Sequence, residues 1–269
     1  MKVITLIEDT PEEMECDFEH GLALYIEIQQ YKLLFDTGAT GRFVGNAAKL
    51  GIDLNEIDKV IISHGHYDHA GGLLKFCEIN NHAQIYMQKN ATEECYYKDT
   101  YIGIDNRILN LPQLKLVDGS YKIDDNLYLL SNVPTEKRNI KFLRKVDGKI
   151  TEDDFSHEQS LVICTKKGNA LISGCAHCGI INILEAYKKK FANEPMVVIS
   201  GFHMFKNGGY TKEEIANIES IAKKLNKMYT IFYTGHCTGD KAYEIMHKIM
   251  KDKLKAIHTG KIVEIKEWL

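Results

Sequence analysis

The sequence predicts an α/β fold of two mixed sheets covered by helices. Two observations carry that prediction. Strand patterns come first along the chain, and from Ser160 onward strands alternate with helices, the order expected when sheets carry helices on their outer faces. A chain of 269 residues, 44% of them apolar, has enough to bury a sizeable core, and we take residues 1–269 as one domain.

Each element has its own warrant. "KVITLIE" reads as the first strand, and "LALYIEI" and "YKLLFDTG" follow it, separated by the polar pair Gln29-Gln30, an expected tight hairpin. "GRFVGNAAKLG" has helical spacing and a closing glycine. "DKVIISHGHYDHAGGLLKF" is a β-branched strand that runs into a histidine-rich loop and then a helix beginning near Gly71; "AQIYM" is a further strand. Between about Gln88 and Lys149 tyrosines, charges and glycines alternate without a sustained period, so this stretch is expected to be an insertion or a set of long loops. "SLVICTK" and "NALISG" are two strands joined by Lys167-Gly168. After them come the helix "INILEAYKKKF", the strand "MVVIS", the helix "TKEEIANIESIAKKL", the strand "MYTIFYTG", the helix "DKAYEIMHKIM" and a closing strand "GKIVEI". No short repeat and no low-complexity segment interrupts this order.

Composition excludes several classes of function. The 34 basic and 37 acidic residues are spread along the chain, and no basic tract suggests nucleic acid as a partner. The N-terminal apolar run meets acidic residues at once, unlike a signal peptide, and no apolar window approaches the ~20 residues that span a bilayer. Seven cysteines are an odd number in a chain too long for a disulfide-stapled module. The expectation is a cytoplasmic protein with reduced thiols and a small-molecule substrate, of undetermined oligomeric state.

The strongest chemical signal is His64-Gly65-His66-Tyr67-Asp68-His69, at the end of the strand "VIIS". In an extended segment His64 and His66 point the same way and can share one ion, while Asp68 and His69 at the turn can face a neighbouring ion. Asp36 closes an earlier strand in Asp-Thr-Gly, a tripeptide that also carries the carboxylates of aspartic proteases. Only one such tripeptide occurs, so a protease dyad would need a homodimer of small subunits, which this length argues against.

The run from His64 to His69 matches His-x-His-x-Asp-His without substitution, and on it the chain resembles the metallo-β-lactamase superfamily over nearly its whole length. The resemblance implies an αββα sandwich with metals at the edge where strand ends gather. It places Asp36 as a partner that hydrogen-bonds the histidine loop and orients its ligands. Four downstream histidines then compete as further ligands: His157 in "SHEQSLVI", His177 in "SGCAHCGI", His203 in "SGFHMF" and His236 in "TGHCTG". Taken together these segments are similar to a subgroup that includes an archaeal dihydropterin-ribofuranosylaminobenzene phosphate synthase and many bacterial relatives. Ala176 and Met204 depart from that subgroup's usual Ser and Leu, and His157 stands where the subgroup often has Asp.

The resulting expectation is a pair of divalent ions, zinc first and manganese or iron as alternatives. His64, His66 and His177 hold one, with His157 as the rival third ligand; Asp68, His69 and His236 hold the other. Cys175 bridges the ions or binds one of them, because a thiolate suits zinc. A Cys175-x-x-Cys178 redox or zinc site is the rival reading of that turn. Asp68 orients or deprotonates the nucleophile, while His203 is expected to contact substrate or donate a proton. Lys206 and the Asn207-Gly208-Gly209 turn offer anion contacts, and Arg107, Lys137 and Arg138 are weaker phosphate candidates. His20, His82 and His247 read as surface or satisfied histidines, and the role of His258 stays open. The expected activity is metal-dependent hydrolysis of a small phosphorylated or ester-like substrate. The alternatives are a pterin-condensing synthase and a non-enzymatic metal-binding domain.

Overall fold

The structure, a computed structural model, describes residues 1–11, 15–28, 31–135 and 142–265. The hairpin expected at Gln29-Gln30 and the candidates Lys137 and Arg138 lie outside the described residues. One seven-stranded sheet has the order Ile262–Glu264, Lys2–Ile7, Ala23–Ile28, Tyr31–Phe35, Lys59–Ile61, Gln84–Gln88, Leu114–Val117. The other has the order Leu254–Ala256, Ile231–Thr234, Val197–Ile199, Gly168–Ile172, Gln159–Thr165, Leu127–Ser131, Tyr121–Lys122.

Strand alternation builds the layers. Leu24, Ile26, Leu33 and Phe35 of the first sheet meet Leu129, Leu161, Ile163 and Ile172 of the second in one central core. The residues between them point outward. Tyr25 and Leu34 pack with Phe43, Leu73 and Phe76 of the helices on one side, while Val162 and Leu171 pack with Ile183, Tyr187 and Met246 of the helices on the other. Both sheets are thus buried on two faces, which is the αββα sandwich. Among the described residues no helix is long and apolar enough to cross a membrane.

Two features differ from the sequence reading. Residues 88–149 are not simply loops: Leu114–Val117 extends the first sheet, and Tyr121–Lys122 and Leu127–Ser131 extend the second. Glu94–Tyr97, Thr100–Tyr101, Phe142–Val146 and Lys149–Glu152 form a third, four-stranded sheet. These strands escaped notice because most are two to five residues long, and several are half-exposed or exposed along their length, so they carry no clean alternation. The helix expected from Gly71 is instead two short helices, Tyr67–Ala70 and Leu73–Cys77, on either side of Gly71-Gly72. A Cβ at Gly71 would lie 2.1 Å from the Ala39 carbonyl oxygen, and one at Gly72 would lie 2.3 Å from that of Thr37. The glycine pair therefore lets the histidine loop press against the turn that follows Asp36, where Thr37 N–H donates to the His69 carbonyl at 2.7 Å.

Candidate metal centre

Parallel pairing brings the site together. Phe35 is in register with Ile61 in the first sheet, and Ile172, Ile199 and Tyr233 are in register across the second. The segments that follow these strands carry Asp36, His64 to His69, Cys175 to His177, His203 and His236, so all emerge at one edge, as ligand-binding residues do at the carboxyl ends of parallel strands. Asp36, Ala176, His203 and His236 all have positive φ, between 49° and 59°. Left-handed backbone is costly for residues other than glycine, and here it is concentrated at the strand ends that aim these side chains.

Among the described residues five groups of donor atoms lie close enough to hold an ion: His64, His66 and His177; Asp68, His69, Cys175 and His236; Cys175, His177 and His203; His66, Cys95, Asp153 and His157; and Asp9, His20 and His236. The first group is the expected one. His64 Nε2 and His177 Nε2 are 3.2 Å apart, and the buried His66 Nε2 has no hydrogen-bond partner. Burial, then the neighbouring histidines, depresses all three rings: His66 falls to about 3, and His64 and His177 fall well below the usual histidine value. They are neutral imidazoles at pH 7, the form that binds a metal.

Hydrogen bonds fix which nitrogen each ring offers. Asp36, fully buried, accepts the Ser63 N–H at 2.7 Å and the Ser63 hydroxyl at 2.7 Å, and it accepts His69 Nδ1–H at 2.7 Å. With its proton given to Asp36, the Ser63 oxygen accepts His64 Nδ1–H at 2.8 Å. Asp36 thereby fixes Nδ1 as the hydrogen-bonding nitrogen of His69 directly and of His64 through Ser63, and leaves Nε2 of each ring facing the donor groups. Gly174 leaves room for this network, since a Cβ there would lie 2.3 Å from Ser63 Oγ.

The second group is built around Asp68. Its Oδ2 lies 3.4 Å from His69 Nε2 and 3.4 Å from His236 Nε2, and His69 Nε2 is 3.1 Å from Cys175 Sγ. Burial raises the Asp68 carboxyl, but His69 and His236 outweigh it and hold the group ionised, well below the usual carboxylate range. Burial lowers His69, and Asp68 and Asp36 reverse that to about 9; His236 is likewise lifted, by Asp68 and Asp9. A field that holds a proton this firmly also favours a metal cation in its place. Burial, then the neighbouring Cys237, pushes the Cys175 thiol up, so it becomes a ligand only when a metal displaces its proton.

The donor clusters fit divalent metal binding. Buried nitrogens on His66, His203 and His236 have no hydrogen-bond partner, and buried polar atoms are rarely left so without a ligand to receive them.

The other predicted residues divide. His157 stands in a group with His66, Cys95 and Asp153. Its Nδ1 accepts the Gly65 N–H at 3.1 Å and its Nε2 faces Asp153 at 3.0 Å, so it braces the loop between His64 and His66. His203 stands beside His177, ring centroids 4.2 Å apart. Lys206 is on the surface, bonded to both oxygens of Glu214 at 2.7 and 2.9 Å, and Arg107 is paired with Asp105. Cys178 Sγ lies near the Thr135 hydroxyl and the Phe155 carbonyl. His258 Nδ1 meets the Thr10 hydroxyl at 2.7 Å.

Sequence reasoning missed several contributors. Glu158 accepts the N–H groups of His177 and Cys178 at 2.7 and 2.9 Å, which holds His177 in place. Glu8 accepts the His236 N–H, and Asp9 accepts His236 Nδ1–H at 2.6 Å. Phe142 stacks on His66 and contacts His177 and His203, forming an aromatic wall over the site. The one available signal was the acidic pair Glu8-Asp9 at the end of the first strand, a position analogous to Asp36.

These observations meet independent findings. A family model, the metallo-beta-lactamase superfamily, matches residues 16–219. The chain belongs to that superfamily. It is 30% identical to the 7,8-dihydropterin-6-methyl-4-(beta-D-ribofuranosyl)-aminobenzene-5'-phosphate synthase of Methanocaldococcus jannaschii, over 91% of this chain and 90% of that one. An uncharacterized protein of the same archaeon is 31% identical over 92% and 94% of the two chains. The crystal structure of Tm1679, described as a metal-dependent hydrolase of the beta-lactamase superfamily, is 34% identical, with a TM-score of 0.83 over 98% of this chain and 99% of its own.

Proposed function

We propose that this chain is a metal-dependent hydrolase that uses two divalent ions to cleave a small phosphorylated or ester-like substrate. The observation that carries this reading is the pair of facing donor groups, whose imidazoles are held in metal-binding orientation by Asp36 and Asp9. His64, His66 and His177 would hold one ion, and Asp68, His69 and His236 the other, with Cys175 close to both groups. Bound there, such a pair supplies hydroxide near neutral pH and polarises the bond under attack. Asp68 orients the attacking oxygen or takes its proton, and His203, with Nδ1 unpartnered, contacts the substrate or returns a proton to the leaving group. Phe142 shields one side from water. Zinc, with manganese or iron as alternatives, suits these nitrogen, oxygen and sulfur donors. The free thiols of Cys77, Cys95, Cys164, Cys175 and Cys237 agree with the reducing, cytoplasmic setting we propose.

A second reading has its own support in the archaeal relative named as a synthase. In that reading the same residues would stabilise a departing pyrophosphate during condensation of a pterin. A screen of metal-loaded protein against phosphomonoesters, phosphodiesters, lactones and pterin pyrophosphates separates the two. Hydrolysis of one of the first three classes, abolished by a chelator and restored by metal, is the expected result. Turnover of the pterin pyrophosphate alone, and only with an arylamine acceptor present, would replace hydrolysis with condensation.

A further inference from the structure

We propose that His20 is a further ligand of the second ion, on its solvent side. The proposal rests on the two-ion reading and extends it to a residue outside every motif. Asp9 is the starting point. One of its oxygens accepts His236 Nδ1–H at 2.6 Å, and the other accepts His20 Nδ1–H at 2.9 Å. A carboxylate only accepts, so both rings carry their Nδ1 protons towards Asp9 and turn Nε2 the other way. Both Nε2 atoms then face one atom, Asp68 Oδ2, at 3.4 Å for His236 and 3.6 Å for His20. His69, with Nδ1–H given to Asp36, brings a third Nε2 to 3.4 Å from the same oxygen.

Three imidazole nitrogens thus converge on one carboxylate oxygen, each with its other nitrogen committed to an outer carboxylate. Without an ion, Nε2 protons can answer the Asp68 charge; a metal ion that displaces them would find imidazole nitrogens and a carboxylate oxygen already facing it. The backbone is built to the same end. Gly21 has φ 153° and presses on the Asp68 carbonyl, which lies 2.6 Å from where a Cβ would stand, and Leu22 N–H donates to that carbonyl at 3.2 Å. Gly21 N–H also reaches Asp9 at 3.3 Å. The loop carrying His20 is therefore pinned both to Asp9 and to the backbone of Asp68. His20 packs at a tilt against His236 with ring centroids 4.8 Å apart, yet its side chain is 55% exposed, so it occupies the open side of the group.

The test is zinc binding by the full-length protein and by His20→Gln, which keeps the size and polarity of the side chain without an imidazole. Zinc affinity is measured by competition with a chromophoric chelator, and the imidazoles around zinc are counted by X-ray absorption at two equivalents. Circular dichroism checks folding, which an exposed side chain should not disturb. We expect one zinc affinity to be unchanged and the other to fall at least about 10-fold, the lower end of what even an outer partner of a ligand is worth. The imidazole count should fall at that ion. Two ions bound by His20→Gln with wild-type affinities and an unchanged imidazole count would overturn the role of His20 and leave the two-ion reading intact. Fewer than two ions in the wild type would overturn both.

Discussion

Replacing His177 by alanine is expected to cost about one bound ion per chain and, with it, activity, because it removes a neutral nitrogen from an ion that has few. The structure supplies the reason. His177 Nε2 is 3.2 Å from His64 Nε2, within a group completed by His66, and Glu158 fixes the turn that carries it. His157→Ala is the informative partner. It removes the acceptor for the Gly65 N–H and leaves Asp153 without its imidazole, but it leaves His64, His66 and His177 in place. We expect it to weaken the first ion by roughly 10-fold, as loss of an outer partner does, rather than to empty the site. Bound metal measured in both variants, with circular dichroism as a folding control, decides the matter. Full retention in His177→Ala with loss in His157→Ala would exchange the two roles.

Asp36→Asn is expected to weaken metal retention by roughly 10 to 100-fold. Asp36 accepts three hydrogen bonds while fully buried, and two of its partners set the orientation of His64 and His69. An amide can place its nitrogen only where a donor already points, so at least one of these contacts turns repulsive. A hydrogen bond to a charged group is worth roughly 1.5–3 kcal/mol, and folding stability should fall by about that much. Zinc affinity by chelator competition and denaturation of the metal-free protein measure the two effects separately. Unchanged affinity with lowered stability would make Asp36 a structural residue only.

How much of this was legible depended on distance along the chain. The segment from His64 to His69 could be read outright, because its four candidate ligands fall within six residues at a strand end. Asp36 was legible through the family resemblance, which expects an Asp at the end of a strand before the histidine loop. Alternating apolar residues disclosed the two main sheets. The choice between His157 and His177 was not legible. Both sit beside strands, and the contact of His157 with Gly65 joins segments far apart along the chain. Glu8, Asp9 and His20 were illegible because their partners are distant: Asp9 meets His236 across 227 positions. Residues 88–149 hid their strands behind short length and exposure.

The central claim is that two ions are held at one strand edge, and metal content tests it most directly. Protein stripped with a chelator, titrated with zinc or manganese and passed through a desalting column should retain close to two equivalents per chain by elemental analysis. Protein that retains no metal under these conditions, or a single equivalent at saturation, would contradict the account.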